Sequence, residues 1–336
     1  MKFTFTEKTT LTEYLDYWLD NYGCKTIGNS TYDSYRDYID KHIAPVIGDI
    51  PMSELTLSVM QDYFNEHELT GNLRNGGRLA PKTMDNLKKM LSKAMEKAID
   101  LDFIVKNPVR RVEISRIVKP DIRVLTRSEE KLLLDNVLTD EYREYGFAIW
   151  LALRFGLRIG EICGLKWSDF DFNKRLLHIR RTIHRNTNRT PNAKTKTILM
   201  EGTPKTQSSI RDIPFTEAVC DTIMSEMYKR KRSDYYDVRH ADSQMRDFVF
   251  INNIGGYAEP KTLNSFFKNM CKKIGIAEAY HFHSIRHTFG TRAAEKNLNT
   301  KIISTIMGHA DVQITLNTYT HVLADAAYEV MEVMQE

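Results

Sequence analysis

The sequence lacks the features that mark secreted, zinc-binding and membrane-spanning proteins. It has only four cysteines, none of them in a CxxC pair: Cys24, Cys163, Cys220 and Cys271. We therefore expect free thiols in a reducing compartment, not a disulfide framework or a zinc site. No apolar run is long enough to cross a bilayer, and the N-terminus has no signal-peptide core. These absences predict a soluble intracellular protein.

Internal repeats and low-complexity tracts are also missing. The apolar and charged fractions, 42% and 27%, are those of a globular protein. The 336 residues are enough for two domains. The net charge of +4 is too small to indicate a nucleic-acid partner by itself.

The distribution of charge says more than its sum. The residues before Arg74 are mainly acidic, whereas Arg74 to Lys119 have an excess of basic side chains. A one-sided basic stretch suits a surface that follows DNA phosphates, but a solvated helix face explains the charges equally well. The candidate DNA contacts in this stretch are Arg74, Arg78, Lys82, Lys88, Lys89 and Lys93.

Apolar spacing predicts a helical domain over residues 1–115. Leu11 to Leu19 has helical periodicity, Ser30 is a plausible N-cap of the next helix, and Leu55 to Phe64 starts another. Pro81 then opens a long helix with apolar residues on one side and lysines largely on the others. The pattern predicts a helical bundle with one basic helix exposed.

A linker is predicted at residues 116–125. It lies in a stretch that follows Asn107-Pro108 and has no helical period. Thr126 to Glu129 is a capping box that opens a second domain, predicted over residues 126–320. Helices are expected near 127–138 and 140–156.

A small β region is predicted inside the second domain. Leu176 to Ile183 alternates as a strand does, and Ile198–Met200 and Ile210–Pro214 are its possible partners. Asn186 to Lys196 is interpreted as an exposed hairpin tip, and the chain is expected to be helical again from Thr216, with a terminal helix over 321–336. Basic residues of the β region that are candidates for further DNA contacts are Arg181, Arg185, Arg189 and Lys194.

Several residues suited to phosphate chemistry follow one another in the second domain. Arg158 stands at a glycine-flanked turn after an apolar helix, and His283 and Arg286 share one face of a predicted helix. His309 follows Gly308, a predicted helix end, and Tyr319 comes ten residues later. Each residue alone is more often structural, but the ordered set is hard to obtain by accident.

These residues resemble the motifs of the tyrosine recombinase (integrase) family, and the resemblance covers nearly the whole chain. The match is closest to integrases of phages and conjugative transposons. It implies a mainly α fold with a small antiparallel β-sheet: a helical core-binding domain and a mixed α+β catalytic domain that form a clamp around DNA. Metal is not implied, and no cofactor is expected.

The resemblance assigns roles to particular residues. Gly-Leu-Arg158-x-Gly-Glu161 resembles the first-arginine motif, with Glu161 orienting Arg158. His283-x-x-Arg286-His287 resembles the second box, with His287 in support. Gly308-His309 and Tyr319 match the end of the pattern, with Tyr319 as nucleophile. Lys205 resembles the β-turn lysine, although Lys194 and Lys196 are rivals.

The chemistry of these side chains fits strand exchange. A tyrosine oxygen can attack a phosphodiester and conserve the bond as a phosphotyrosine. Arg158 and Arg286 offer planar forks that match phosphate oxygens, doing the charge work of a metal. His283 and His309 can donate hydrogen bonds to the phosphate, and His283 can also exchange a proton with the tyrosine. Lys205 suits protonation of the leaving 5′ oxygen.

Other functions are alternatives to the recombinase. A type IB topoisomerase uses a similar residue set, and a catalytically silent DNA-binding protein of the same fold is a further alternative. Metal-dependent transposases need clustered carboxylates, which do not accompany these motifs. His283 and His287 have the i, i+4 spacing of zinc ligands, but Ser284 stands where the general base would be.

The expected partners are double-stranded recombination sites, further copies of the chain and accessory DNA-bending or excisionase proteins. Apolar residues from Val322 to Met334 form one stripe, which the resemblance assigns to helix exchange in a homotetramer. Because Thr10 to Leu19 already reads as a core-binding helix, a separate arm-binding domain is not expected. The hairpin region 186–202 is longer than a minimal β-turn, which indicates an insertion. A bacterial cytoplasmic location, at the nucleoid when active, is implied.

Overall fold

The structure, a computed structural model, describes residues 4–117, 122–190, 192–202, 207–231, 243–276, 280–296, 298–313 and 315. The chain divides into two compact units. The first comprises Met1–Pro120 with Asn186–Ala193, and the second Asp121–Arg185 with Lys194–Glu336. In the described ranges, no helix is long and apolar enough to span a membrane.

The first unit is built from helices, as the apolar spacing predicted. Helical turns link some of them: π-helical at Leu19–Gly23 and Ile39–Ile43, α-helical at Cys24–Thr26 and 3-10 at Met52–Glu54. The principal helices are α1 (Leu11–Trp18), α2 (Asn29–Tyr38), α3 (Ala44–Ile47), α4 (Leu57–Thr70) and α5 (Pro81–Asp100).

Local capping explains where these helices begin. Thr10 and Glu13 form a capping box at the start of α1, and the Thr56 hydroxyl accepts a hydrogen bond from the Val59 amide at the start of α4. The prediction of Ser30 as an N-cap was wrong, because the extended residue is Gly28 and Ser30 already lies in α2. Helix α4 starts two residues after Leu55, at Leu57, where the Thr56 cap places it.

The basic face of α5 is neutralised in part by its own acids. Lys82 and Lys89 both pair with Asp85, at 3.0 and 2.8 Å. The Lys88 ammonium donates to the Val112 carbonyl at 2.5 Å, so this lysine fastens the chain that follows α5 to the helix. Arg78 pairs with Glu68 while staying 62% exposed. The exposed basic helix is therefore present, but Lys88 is less available to DNA than predicted.

The hairpin tip between β3 (Thr182–Thr187) and β4 (Thr197–Gly202) is largely exposed, as predicted, and its residues Asn186–Ala193 belong to the first unit. Arg189 pairs with Asp33 at 2.5 Å, and its guanidinium lies 4.7 Å from the centroid of the Tyr32 ring. Asn186 is only 4% exposed. Within this unit, the Arg189 charge is thus already matched by a carboxylate and an aromatic face.

The second unit combines helices with two small sheets. Its helices are α6 (Arg127–Asn136), α7 (Gly146–Phe155), α8 (Ile159–Cys163), α9 (Glu217–Lys231), α10 (Pro260–Lys273), α11 (Phe282–Glu295) and α12 (Thr300–Met307). Its strands are β1 (Phe170–Asp171), β2 (Leu176–Ile179), β3 (Thr182–Thr187), β4 (Thr197–Gly202) and β5 (Arg211–Pro214). Further 3-10 turns cover Asp140–Tyr142, Trp167–Asp169, Gln207–Ser209 and Ser243–Met245.

The sheets follow the predicted pairing with one difference. Strands β1, β2 and β5 form an antiparallel sheet in that order, with Leu177 opposite Ile213 and Ile179 opposite Arg211. Strand β4 pairs with β3 in a second sheet, because the predicted strand 176–183 breaks between β2 and β3. After Thr216 the chain is not wholly helical, since Ile251 and Tyr257 form a β-bridge.

Helix α7 is the centre of the second core. Apart from Arg154, its residues Gly146 to Phe155 are all buried. The helix is shorter than the predicted 140–156, and a 3-10 turn at Asp140–Tyr142 precedes it. The capping box of Thr126 and Glu129 opens α6 as predicted. Leu125, the last residue of the predicted linker 116–125, is fully buried in the core of the second unit. The mainly α fold class with small antiparallel sheets is confirmed.

We expect the first unit to lose stability in acid because of two buried histidines. The Nδ1 of His42 lies 2.8 Å from the Nε2 of His67. Burial and then the neighbouring His42 lower the pKa of His67 from 6.5 to about 4. The unfolded state therefore binds more protons below pH 6.5, and the free energy of unfolding should fall by roughly 3 kcal/mol as the pH drops from there to about 4.

Amide hydrogen exchange of α4 peptides in the full chain, corrected for intrinsic rates, measures this loss locally. His67→Gln keeps a hydrogen-bonding side chain but does not titrate, so its protection should depend less on pH. The same pH dependence in both proteins would contradict the explanation.

Candidate active site

The C-terminus of α12 is the structural centre of the site. Gly308 ends the helix with φ +65°, and its amide donates to the carbonyls of Ser304 and Thr305. Only glycine adopts this left-handed conformation without strain. A Cβ at Gly308 would also lie 2.9 Å from an amino nitrogen of Arg211. His309 follows this turn, and its amide donates to the Ser304 carbonyl at 3.0 Å.

Consecutive carbonyls at this helix end each accept from a different arginine. Arg211 Nε donates to Ile306 at 2.5 Å, Arg286 Nη2 to Met307 at 2.5 Å, and Arg158 Nη2 to Gly308 at 2.7 Å. The last carbonyls of a helix have no partner within it and carry the negative end of the helix dipole. Guanidinium groups satisfy both requirements, so α12 gathers the arginines at one point.

Arg286 and Arg158 enter from different elements. Arg286, on α11, is 2% exposed and also donates to the Gly156 carbonyl at 2.7 Å. Gly156 has φ +62° at the end of α7, which turns that carbonyl toward α11. Arg158 is the N-cap residue of α8, and its side chain is 35% exposed. The two predicted arginines therefore share the end of α12, one buried and one accessible.

Glu161 is a carboxylate shared by two arginines. It accepts from Arg158 at 2.8 Å and from both amino groups of Arg211 at 3.0 Å. Burial alone would raise the pKa of Glu161, but the hydrogen bonds from Arg211 and the charges of Arg211 and Arg158 lower it. Glu161 therefore stays ionised and holds both guanidinium groups.

Three histidines lie within electrostatic range of these arginines. Burial first, and then the surrounding positive charges, lower the pKa values of His283, His287 and His309 to about 4 each. His283 and His287 contact edge to face, with ring centroids 4.6 Å apart. The Nδ1 of His309 lies 2.7 Å from the Thr315 hydroxyl. The imidazoles are thus neutral at pH 7 and each keeps one N–H to donate.

The structure brings together Arg158, Glu161, His283, Arg286 and His309, with His287 beside them. The buried Nδ1 of His287 has no hydrogen-bond partner among the described residues. Lys205 and Tyr319 lie outside the described residues. In the described part of the chain, no group of three or more His, Cys, Asp or Glu residues is arranged to hold a metal ion.

The candidate DNA contacts of the β region have different surroundings. Arg181 is 17% exposed and pairs with Asp169 at 2.5 Å, so this arginine stabilises the fold and has little surface to offer DNA. Arg185 pairs with Glu259 at 2.7 Å and is 41% exposed. Lys194 is exposed, as are Arg74, Lys82, Lys89 and Lys93 in the first unit.

Arg211 was missed in the sequence. It is 7% exposed and holds Glu161, yet it lies in the segment predicted as a strand. The signal was available: Arg211, Ile213 and Phe215 alternate with Asp212 and Pro214, which places an arginine in line with buried apolar residues. A charged residue on the inner side of a strand requires a buried partner.

Family comparisons fit this geometry. Residues 123–325 match the phage integrase family, and residues 10–67 match the N-terminal SAM-like domain of phage integrases. The first match spans more than half of the chain, which therefore belongs to the phage integrase family, the tyrosine recombinases that cleave and rejoin DNA at specific sites. The prediction of a recombinase is therefore confirmed, in preference to a topoisomerase or a catalytically silent DNA-binding protein.

Individual relatives point the same way. The chain is 28% identical to a "Tyrosine recombinase XerC-like" of Caldanaerobacter subterraneus subsp. tengcongensis, over 90% of this chain and 75% of that protein. It is 30% identical to the transposase from transposon Tn916 of Enterococcus faecalis, over 75% of this chain and 62% of the transposase. The solved Tn1549 transposon integrase in complex with transposon right end DNA superposes with a TM-score of 0.77 at 26% identity, covering 97% of this chain and 100% of that one.

Gly308→Ala should destabilise the protein more than Gly275→Ala. Both glycines have positive φ, +65° and +80°, so alanine brings about 1–2 kcal/mol of backbone strain at either position. Only at Gly308 would the new methyl also press on Arg211, since Gly275 faces open space. Thermal unfolding of the full chain measures both losses. Equal decreases in Tm would show that Arg211 yields to the methyl group freely.

Proposed function

We propose that this recombinase cleaves DNA through a 3′-phosphotyrosyl bond at Tyr319 and rejoins it to integrate or excise a mobile element. The observation that carries the proposal is the gathering of Arg158, Arg286, His283 and His309 around the end of α12. Tyr319 follows His309 by ten residues in the sequence, which is short enough for its oxygen to reach the same phosphate.

The side chains divide the reaction between them. Arg158 and Arg286 bind the non-bridging oxygens of the scissile phosphate and stabilise the charge of the transition state. Neutral His283 can accept the proton of Tyr319, and neutral His309 can donate its N–H to a phosphate oxygen. Glu161 and His287 support Arg158 and His283, respectively. Tyr319 attacks the phosphorus, the 5′ oxygen leaves, and its proton comes from Lys205.

DNA binding itself rests on exposed cations of both units. In the first unit these are Arg74, Arg78, Lys82, Lys89 and Lys93, and in the second Arg185 and Lys194. Such contacts to phosphates position the duplex without reading its sequence. The expected partner is a double-stranded recombination site, in the cytoplasm of a bacterium, and accessory DNA-bending or excisionase proteins are proposed to act there as well.

Tyr319→Phe tests the nucleophile. The variant should bind a cognate site as tightly as the unmodified chain but form no covalent adduct, because phenylalanine has no oxygen to attack phosphorus. A suicide substrate that traps the adduct gives the readout on a denaturing gel. The unmodified chain should form the adduct in excess EDTA too. An adduct formed by Tyr319→Phe would assign the nucleophile to another residue.

Lys205→Ala tests the general acid. Cleavage should be slow on a normal 5′ oxygen and recover on a 5′-bridging phosphorothiolate, whose sulfur leaves without protonation. The matched controls are Lys194→Ala and Lys196→Ala, which should show no such difference between substrates. A rescue seen for either control, but not for Lys205→Ala, would move the role to that lysine.

We also propose a tetramer joined by the terminal segment. The stripe from Val322 to Met334 requires an apolar surface to bury against, and two duplexes with two cuts each require four active sites. A head-to-tail exchange of this segment is a heterologous contact that can close at four.

Deleting residues 322–336 should leave single-site binding within about twofold, abolish cooperative binding to paired sites and alter cleavage. Gel-shift titrations and adduct assays measure these effects, and unchanged cooperativity and cleavage would exclude the role.

A further inference from the structure

Arg211 uses its guanidinium almost entirely within the protein. Its four hydrogen bonds go to the Ile306 and Ser209 carbonyls and to both carboxylate oxygens of Glu161, all between 2.5 and 3.0 Å. A guanidinium has five N–H donors, and the side chain is 4% exposed. Arg211 therefore has little left to offer a phosphate, and a direct role on DNA does not fit.

The partners of Arg211 are themselves parts of the site. Through Glu161 it reaches Arg158, because the same carboxylate oxygen that accepts from Arg211 at 3.0 Å accepts from Arg158 at 2.8 Å. Through the Ile306 carbonyl, Arg211 also holds the C-terminal end of α12. At that end the Gly308 carbonyl accepts a hydrogen bond from Arg158, and His309 follows Gly308 in the chain. Each contact fixes one side of the Arg158 guanidinium.

The strand that carries Arg211 is itself anchored. Arg211 is opposite Ile179 in the antiparallel pair of β2 and β5, and Ile179 and Ile213 are both buried in the core of the second unit. A side chain on a packed strand holds its partners more accurately than one on a loop. The fork geometry of the contact with Glu161 adds directional control that a lysine lacks.

We infer that Arg211 is a positioning residue that sets the orientation of Arg158 through Glu161 and the end of α12. This inference rests on the proposed function, in which Arg158 binds the scissile phosphate. A guanidinium displaced by about 1 Å can lower a rate by roughly 100-fold. Arg211 thus contributes to the rate of cleavage and little to the affinity for DNA.

The test is a double-mutant cycle with Arg211→Lys and Arg158→Lys. Arg211→Lys keeps the charge and loses the fork, so single-turnover adduct formation at saturating DNA should slow by roughly 10- to 100-fold. The Kd for the site should stay within about twofold. In the Arg158→Lys background, Arg211→Lys should slow cleavage much less, because the residue that it positions is already changed.

Arg230→Lys is the matched control. Arg230 is 8% exposed, faces Glu226 and donates to the Arg143 carbonyl at 2.9 Å. Like Arg211, it is a buried arginine beside a glutamate and a backbone carbonyl, but it is far in sequence from the site residues. It should lower the Tm as Arg211→Lys does and leave the cleavage rate within about twofold. Should Arg211→Lys not fold, Glu161→Gln breaks the same link from the carboxylate side and enters the same cycle.

Each outcome has a definite meaning. Loss of rate that disappears in the Arg158→Lys background, with an unaffected control, supports the inference. Equal losses in both backgrounds, a similar loss in Arg230→Lys, or an unchanged rate in Arg211→Lys overturns it and leaves the proposed function standing. Absence of any adduct with the unmodified chain contradicts the proposed function itself, and the inference with it.

Discussion

The contact between helix α12 and the arginines at its C-terminus is the interaction on which the site depends. A helix end leaves carbonyls without partners, and in this protein they lie close to the core, where unpaired acceptors are costly. Arg211, Arg286 and Arg158 satisfy three consecutive carbonyls, those of Ile306, Met307 and Gly308, respectively. The same contacts bring positive charges together that would otherwise repel one another.

Such a concentration of positive charge requires a counter-charge within the protein. Glu161 provides it, since its carboxylate accepts from the Arg211 guanidinium at both oxygens and from the Arg158 guanidinium at one. Burial lowers the pKa values of His283 and His309, and the residual positive potential of Arg286 and Arg158 lowers them further, to about 4. A phosphate would relieve that potential, so the arrangement of Arg158 and Arg286 supplies much of the electrostatic attraction for the proposed substrate.

Much of this could be predicted from the sequence because the signals are local. The Thr126 capping box, the alternation around Leu177 and the apolar face of α5 depend on neighbours a few residues away, and the structure has all three. The partners of basic side chains are different, since they depend on tertiary contacts. Nothing near Arg181 in sequence reveals that Asp169 will meet it, and nothing near Lys88 reveals the Val112 carbonyl. Arg211 is intermediate: its inward position was readable, but its partner Glu161 lies 50 residues away.

The use of backbone acceptors has a consequence for how such a site can evolve. Every residue type has a carbonyl, so the side chains at Ile306 and Met307 can drift without removing the groups that hold Arg211 and Arg286. What has to persist is the helical path and the glycine that ends it, together with the arginines. An architecture of this kind permits extensive sequence divergence at constant shape, as between this chain and the Tn1549 integrase, which share 26% identity at a TM-score of 0.77.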